Sequence, residues 1–239
     1  APAERAKLAA YADKHGLAVV EDACQSIDGA YDGRKLGTWG HPAVYGFYAN
    51  KQMTTAEGGL ILLDDDDEAR VLSSLANQGR SDDGAWLVHS RLGFNYRLSD
   101  VHAAIGVAQL ERLDELQAGR ARVAGWYQER VAQIDGVTPM YEGPQTRSWF
   151  VYAPRLDAAL DRDRVIVALN ERGVQAKPYL PSIHLQPFYR ERFGYEPGFL
   201  PVTEAIAAST VALPFFPEMT EEQVDAVCTV LGSVTAGEG

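Results

Sequence analysis

Val44-Tyr45-Gly46-Phe47-Tyr48-Ala49-Asn50-Lys51-Gln52-Met53-Thr54-Thr55-Ala56-Glu57-Gly58-Gly59-Leu60-Ile61-Leu62-Leu63 is the stretch on which the fold turns. Two short apolar runs, Val44 to Tyr48 and Leu60 to Leu63, read as buried strands, because they are bounded by turn residues and too short for helices. Upstream, Leu17 to Val20 is a similar run. It closes on Glu21-Asp22 before a loop through Gly29, Gly33 and Gly37. Short buried strands alternating with helices mark an α/β chain. In such sheets ligands gather at the carboxyl ends of the strands, where Asp22 and Lys51 fall.

Working outward, Pro2 to His15 has a helical pattern, with Leu8, Ala9, Tyr11 and Ala12 as its apolar face and Gly16 as its stop. The acidic run Asp64 to Glu68 suits the positive end of a helix that ends near Gln78. Ser99 caps a long amphipathic helix carrying Val101, Ala104, Ile105, Ala108, Leu110 and Leu113, and the helical pattern resumes through Tyr127. Further on, a strand is expected at Trp149 to Pro154, a helix at Asp163 to Arg172 and an extended stretch at Val174 to Tyr179. Pro181 to Phe199 reads as a Pro- and aromatic-rich loop, followed by two helical patterns divided at Leu213-Pro214. The expected organisation is a portion of a large domain over 1–115 and a small α+β domain over 116–239. Strands near Val20, Tyr48 and Leu62 are too few for a complete doubly wound domain, so an amino-terminal half is expected to be missing.

The 239 residues carry 22 Lys and Arg against 33 Asp and Glu, a net charge of −11 that opposes binding to a nucleic-acid backbone. No apolar run approaches the roughly 20 residues of a membrane span, and Ala-Pro-Ala-Glu-Arg lacks the apolar core of a secretory signal, so a cytoplasmic location is expected. Cys24 and Cys228, far apart, suggest buried thiols rather than a disulfide framework, and no metal site is expected.

An aspartate at a strand end, taken alone, is a cap or surface residue; a lysine there is ordinarily solvated. Together they say more. A carboxylate at a buried strand end calls for a cation, a protonated pyridine nitrogen being one. An amine at the neighbouring strand end can attack an aldehyde.

Glu21-Asp22-Ala23-Cys24-Gln25, Gly37-Thr38-Trp39-Gly40, Phe47-Tyr48-Ala49-Asn50-Lys51 and Thr54-Thr55-Ala56-Glu57-Gly58-Gly59 resemble, in order and spacing, the DegT/StrS family of sugar aminotransferases. The resemblance continues in Gly93-Phe94-Asn95-Tyr96-Arg97, Ala103-Ala104-Ile105-Gly106 and His184-Leu185-Gln186-Pro187, and so covers nearly the whole chain. It implies a fold-type-I aminotransferase that uses pyridoxal 5'-phosphate. Asp22 would hold the pyridinium nitrogen, Gln25 the ring hydroxyl oxygen, and Lys51 the Schiff base and the migrating proton. Asn95 would reach the cofactor phosphate of a neighbouring subunit, which implies a homodimer; His184 and Arg97 would be substrate contacts. The implied substrates are a nucleotide-linked keto sugar and an amino-acid donor, glutamate, in amino-sugar, polysaccharide or metabolite biosynthesis.

Two departures stand out. Many relatives have serine, a phosphate ligand, where Gly46 stands, and the family's Gly-Thr phosphate loop and ring-stacking aromatic have no counterpart in these residues. A dehydratase of the same fold, with histidine in place of the lysine, is disfavoured by Lys51. The remaining alternative is a non-catalytic binding or regulatory protein of this fold.

Overall fold

The structure, a computed structural model, describes residues 4–81, 85–143 and 145–237. Pro2, expected in the first helical turn, lies outside them. The chain divides into two compact units, the first formed by Ala1–Gln117 with Glu142–Phe150 and the second by Ala118–Tyr141 with Val151–Gly239.

In the first unit, α1 (Arg5–His15) stops at the left-handed Gly16. Only Ala12 of its expected apolar face is buried; Leu8 and Tyr11 are exposed. The strand expected at Leu17 to Val20 is absent, and β1 is the short pair Glu21–Asp22. A strand exists only through pairing. The ladder with β4 (Ala43–Gly46) begins where the Glu21 N–H donates to the Pro42 carbonyl, and Leu17 and Val20 are left exposed before it. The glycine loop that follows hides a hairpin, β2 (Ala30–Tyr31) antiparallel to β3 (Arg34–Lys35). Its turn residues, Asp32 and Gly33, both have positive φ, at 48° and 74°, the backbone a two-residue hairpin demands.

β4 pairs in parallel with β1, Asp22 opposite Val44, and antiparallel with β5 (Gly59–Leu62), giving the order β1-β4-β5. Because side chains alternate along a strand, Ala43 and Tyr45 face inward to join Ala23 in a small core, with Ile27 and Phe47 packed against it. Residues between β4 and β5 are folded by backbone bonds from Phe47 N to Gly58 O, Thr55 N to Phe47 O and Lys51 N to Tyr48 O. Gly58 has φ 152°, and a Cβ there would stand 2.5 Å from Thr55 Oγ1 and 2.9 Å from Leu98 Cδ1, so a side chain has no room. Helix α2 (Asp66–Ala76) starts from Asp65, whose carboxylate accepts from Asp67 N and Glu68 N. Ser99 caps α3 (Asp100–Glu111), and α4 (Leu113–Val131) follows. Gly106 of α3 sits so close to the Thr55 loop that a Cβ would be 2.9 Å from Thr55 Cγ2.

The second unit pairs β6 (Val137–Thr138) with β7 (Arg155–Leu156) and β8 (Lys177–Pro178) with β9 (Val211–Ala212), both antiparallel. Its helices are α5 (Arg162–Glu171), α6 (Pro187–Phe193), α7 (Pro201–Ser209) and α8 (Glu221–Thr235). Its core holds Val123, Tyr127, Val131, Tyr152, Leu156, Leu169, Val224 and Leu231. Tyr127 and Tyr152 stack at 4.6 Å; their hydroxyls donate to Pro214 O and Gln128 Oε1, which relieves the cost of burying them. Burial also pushes the Cys228 thiol up to about 11. The strand expected at Trp149 to Pro154 is instead extended chain with one bridge, Tyr152 to Leu213, since no neighbouring strand runs far enough to form a ladder. The expected loop Pro181 to Phe199 contains a 3-10 turn, Ile183–Leu185, and α6. Pro187 begins that helix and left-handed Gly194 ends it, a start-and-stop pair concealed by the aromatic composition.

Candidate active site

The parallel pairing of β1 with β4 sends Asp22 and the lysine loop off the same end of the sheet. Asp22 is exposed, and its Oδ1 accepts from Cys24 N at 3.1 Å. Hydrogen bonding from the Cys24 thiol, then from the Cys24 backbone N–H, holds its carboxyl below the ordinary range, and the charge of Lys51 acts in the same direction. Burial, and secondarily Asp22, pushes the Cys24 thiol up. The thiol is therefore poorly disposed to ionise.

Lys51 is half-buried. Its Nζ lies 4.7 Å from the centre of the Phe150 ring, a cation–π distance. A Cβ on Gly46 would meet Cys24 Cβ at 3.3 Å, Cys24 Sγ at 3.5 Å and Lys51 Cε at 3.6 Å. The bare backbone of Gly46 is thus a floor on which Cys24 and the lysine chain converge. Gln25 projects from the loop after Asp22, and its carbonyl accepts from Gln52 Nε2 at 2.8 Å. Asp22, Gln25 and Lys51 come off one end of one small sheet, with a carboxylate held ionised and an amine beside it.

Behind Asp22, Glu21 points the other way and is buried. One oxygen meets Arg5 NH1 at 2.9 Å and the other accepts from Gly37 N at 2.9 Å. Gly37 has φ 79°, and a Cβ there would overlap the Tyr45 hydroxyl at 2.1 Å. The guanidiniums of Arg5 and Arg34 lie 4.9 and 5.0 Å from the Trp39 ring.

The other expected residues lie in clusters of their own. Asn95 Oδ1 accepts from Arg97 Nε at 3.1 Å, and Arg97 NH1 donates to Asn77 Oδ1 at 3.1 Å, all exposed or half-exposed. His184 belongs to the second unit. It is buried, with Nε2 2.9 Å from Glu204 Oε1 and the rings of Tyr195 and Phe199 against it. It lines a cavity of about 1010 Å³ with Tyr189, Phe193, Tyr195, Phe199 and Ile206. Glu204 also accepts from Gly198 N and Leu200 N; the Gly198 bond, then His184, holds its carboxyl below the usual range.

Sequence reasoning missed Phe150, Ser148, Gln52 and Gln117. Gln52, next to the lysine, is buried, and its amide donates to Gln25 O and to Ser148 Oγ, both at 2.8 Å. Gln117 donates to Ile27 O at 2.7 Å and to Ser148 Oγ at 3.1 Å. Adjacency to Lys51 could have flagged Gln52; nothing local to residues 145–150 points to the site.

Residues 1–232 match the DegT/DnrJ/EryC1/StrS aminotransferase family. The chain belongs to that family. Among curated members it is 36% identical over 227 residues to GDP-perosamine synthase of Caulobacter vibrioides, covering 93% of this chain and 60% of the relative. It is 33% identical to the spore coat polysaccharide biosynthesis protein SpsC of Bacillus subtilis, covering 96% of this chain and 63% of that protein. The chain thus spans about three-fifths of the length of the curated relatives it matches. Among solved structures, S. venezuelae DesV, in complex with a ketimine intermediate, superposes with a TM-score of 0.89 at 28% identity, covering 98% of this chain and 62% of that one. Helicobacter pylori PseC gives 0.90 at 22% identity, covering 96% and 62%, a likeness of fold. The architecture is the fold-type-I aminotransferase fold, represented by part of its length. Among the described residues no helix is long and apolar enough to cross a membrane.

Proposed function

We propose that this chain carries the lysine and the ring-binding aspartate of a pyridoxal-phosphate-dependent aminotransferase acting on a nucleotide-linked keto sugar, with an amino acid, glutamate, as donor. The observation that supports it most is the shared origin of Asp22 and Lys51 at one end of the β1–β4 pair, with the Asp22 carboxyl held ionised. The residues fit the cofactor: an anion for a pyridinium nitrogen, an amine for an aldehyde, and the Gln25 side chain on the loop between them for a ring oxygen.

When bound, the cofactor supplies an electron sink for the carbanion formed as the donor's α-proton leaves. Asp22 keeps the ring nitrogen protonated by offering a fixed negative charge, which its hydrogen bonds to Cys24 hold in place. Lys51 Nζ would hold and return a proton beside the bound ring, a role that needs a mobile amine held near one place. The Phe150 face gives it such a place. Gly46 offers phosphate no side-chain oxygen. In this reading Asn95 serves the site of a second copy, and His184 and Arg97 are substrate contacts.

The test is to mix the protein with pyridoxal phosphate, reduce with borohydride and map the label by mass spectrometry. The expected result is a pyridoxyl group on Lys51, absent from Lys51→Ala, and an Asp22→Asn variant that takes the label yet loses the half-reaction with glutamate. Label on other lysines alone would end the proposal. Binding of sugar nucleotides without any half-reaction would favour a binding protein instead.

A further inference from the structure

Each glutamine amide nitrogen has two protons to give. Gln52, 3% exposed, gives one to the Gln25 carbonyl and one to the Ser148 hydroxyl. Gln117, from the first turns of α4, gives one to the Ile27 carbonyl and one to the same hydroxyl. Ser148 thus accepts twice, filling both lone pairs. Two amides grip the 25–27 loop by its carbonyls and are tied to each other through one serine.

The grip adds to the joints among three segments: the loop after Asp22, the residue next to Lys51, and the 145–150 strap whose Phe150 lies under the Lys51 amine. The strap is itself anchored to the β2 hairpin, where Ala30 N donates to Thr146 O and Asp32 N to Gln145 Oε1. Gln52 is the only member adjacent in sequence to the amine. A shift of the Gln25 carbonyl is carried directly to the lysine loop, since breaking either bond leaves a buried polar group unpaired.

We infer that Gln52, through Ser148 and Gln117, is a positioning residue that holds the Lys51 loop and the Asp22–Ile27 loop in one register, so that amine and carboxylate address the same ring. The inference rests on the function proposed above. Gln52 touches no reacting atom; it acts through Lys51 and Gln25.

The test compares the wild-type chain with Gln52→Met, which keeps length and loses both donors, and with Ser148→Ala. Hydrogen–deuterium exchange without cofactor reads the loops directly. Segments 24–28 and 50–55 are expected to exchange faster together in Gln52→Met while α2 and α8 stay protected. With pyridoxal phosphate, borohydride labelling of Lys51 is expected to slow by about tenfold, as small misplacements of reacting groups do, and the visible circular dichroism of the bound cofactor to change. The double variant should be no slower than Gln52→Met, the mark of a shared network. Unchanged exchange in both segments, or an unchanged labelling rate, overturns the inference; so does a uniform rise in exchange across the chain, which marks general destabilisation. If Gln52→Met fails to fold, Ser148→Ala decides, because both glutamine–carbonyl bonds survive in it. Faster exchange at 24–28 and 50–55 supports the brace and a change confined to 145–150 refutes it. A wild type unlabelled at Lys51 would defeat the proposed function, and the exchange measurement would still decide the brace.

Discussion

Gly46 lies where three groups meet, and a Cβ there stands 3.3 Å from Cys24 Cβ, closer than ordinary contact. A Gly46→Ser variant is therefore expected to fold with a loss of about 1 kcal/mol, the low end for added atoms in a filled space. Denaturant midpoints measure it. Asp22 makes a pH prediction. Its folded pKa is depressed, chiefly by hydrogen bonding from Cys24, so what its ionised form contributes is complete above the ordinary carboxylate value of about 3.9 and is lost as pH falls through the lower folded value. Spectrophotometric titration of the cofactor-loaded protein should show the ring nitrogen staying protonated to higher pH in the wild type than in Asp22→Asn, because a neighbouring anion stabilises the cation, with far-ultraviolet circular dichroism to exclude unfolding. The same alkaline midpoint in both proteins would contradict the assignment. The shared sheet end of Asp22 and Lys51 was legible from polar residues that follow short apolar runs, although the run before Asp22 is not itself a strand. Ser148 and Phe150 were not, because their place depends on a chain return that no local pattern encodes.

At the scale of elements, capping residues behaved as their chemistry dictates. Asp65 satisfies the N–H groups of Asp67 and Glu68 at the start of α2, and Thr220 forms a reciprocal capping box with Gln223 on α8. Asp65→Ala should cost about 1 kcal/mol, read as a lower thermal midpoint, whereas Asp66→Ala, which makes no such bond among those of the cap, should cost less. Helices were read well where a cap and an amphipathic face coincided, as for α5, which buries Val165 and Leu169; α3 starts at its expected cap, but Val101, Ile105 and Leu110 of its expected apolar face are exposed. The errors share a cause: Leu17 to Val20 has strand composition without a partner ladder, and the β2–β3 hairpin has a ladder with little strand composition. Pairing is a property of two segments, and a single stretch cannot declare it. The Asp32-Gly33 step was the one local clue to the hairpin.

For the molecule as a whole, the apolar residues left exposed between positions 86 and 110 are the main unsettled surface. Trp86 is 83% exposed, Leu92 88%, Tyr96 74% and Val101 71%, in a chain that buries Tyr127 and Tyr152 completely. Large apolar side chains exposed to this degree favour association if they share a face. Sedimentation velocity is expected to find the chain associating as its concentration rises, and Leu92→Ser with Val101→Ser to shift it toward single chains without lowering the thermal midpoint. A single-chain species at all concentrations would contradict this. Composition and strand pattern were enough to give the α/β class. The two-unit arrangement carries a finer consequence: the backbone changes unit three times, after Gln117, Tyr141 and Phe150. A gene trimmed after the codon for Gln117 would encode Asp22, Gln25, Lys51, Asn95 and Arg97, yet it would leave behind the hydroxyl and the aromatic face against which the lysine is set. Modular swapping of this half between relatives would have to carry the 142–150 segment along as a separate graft.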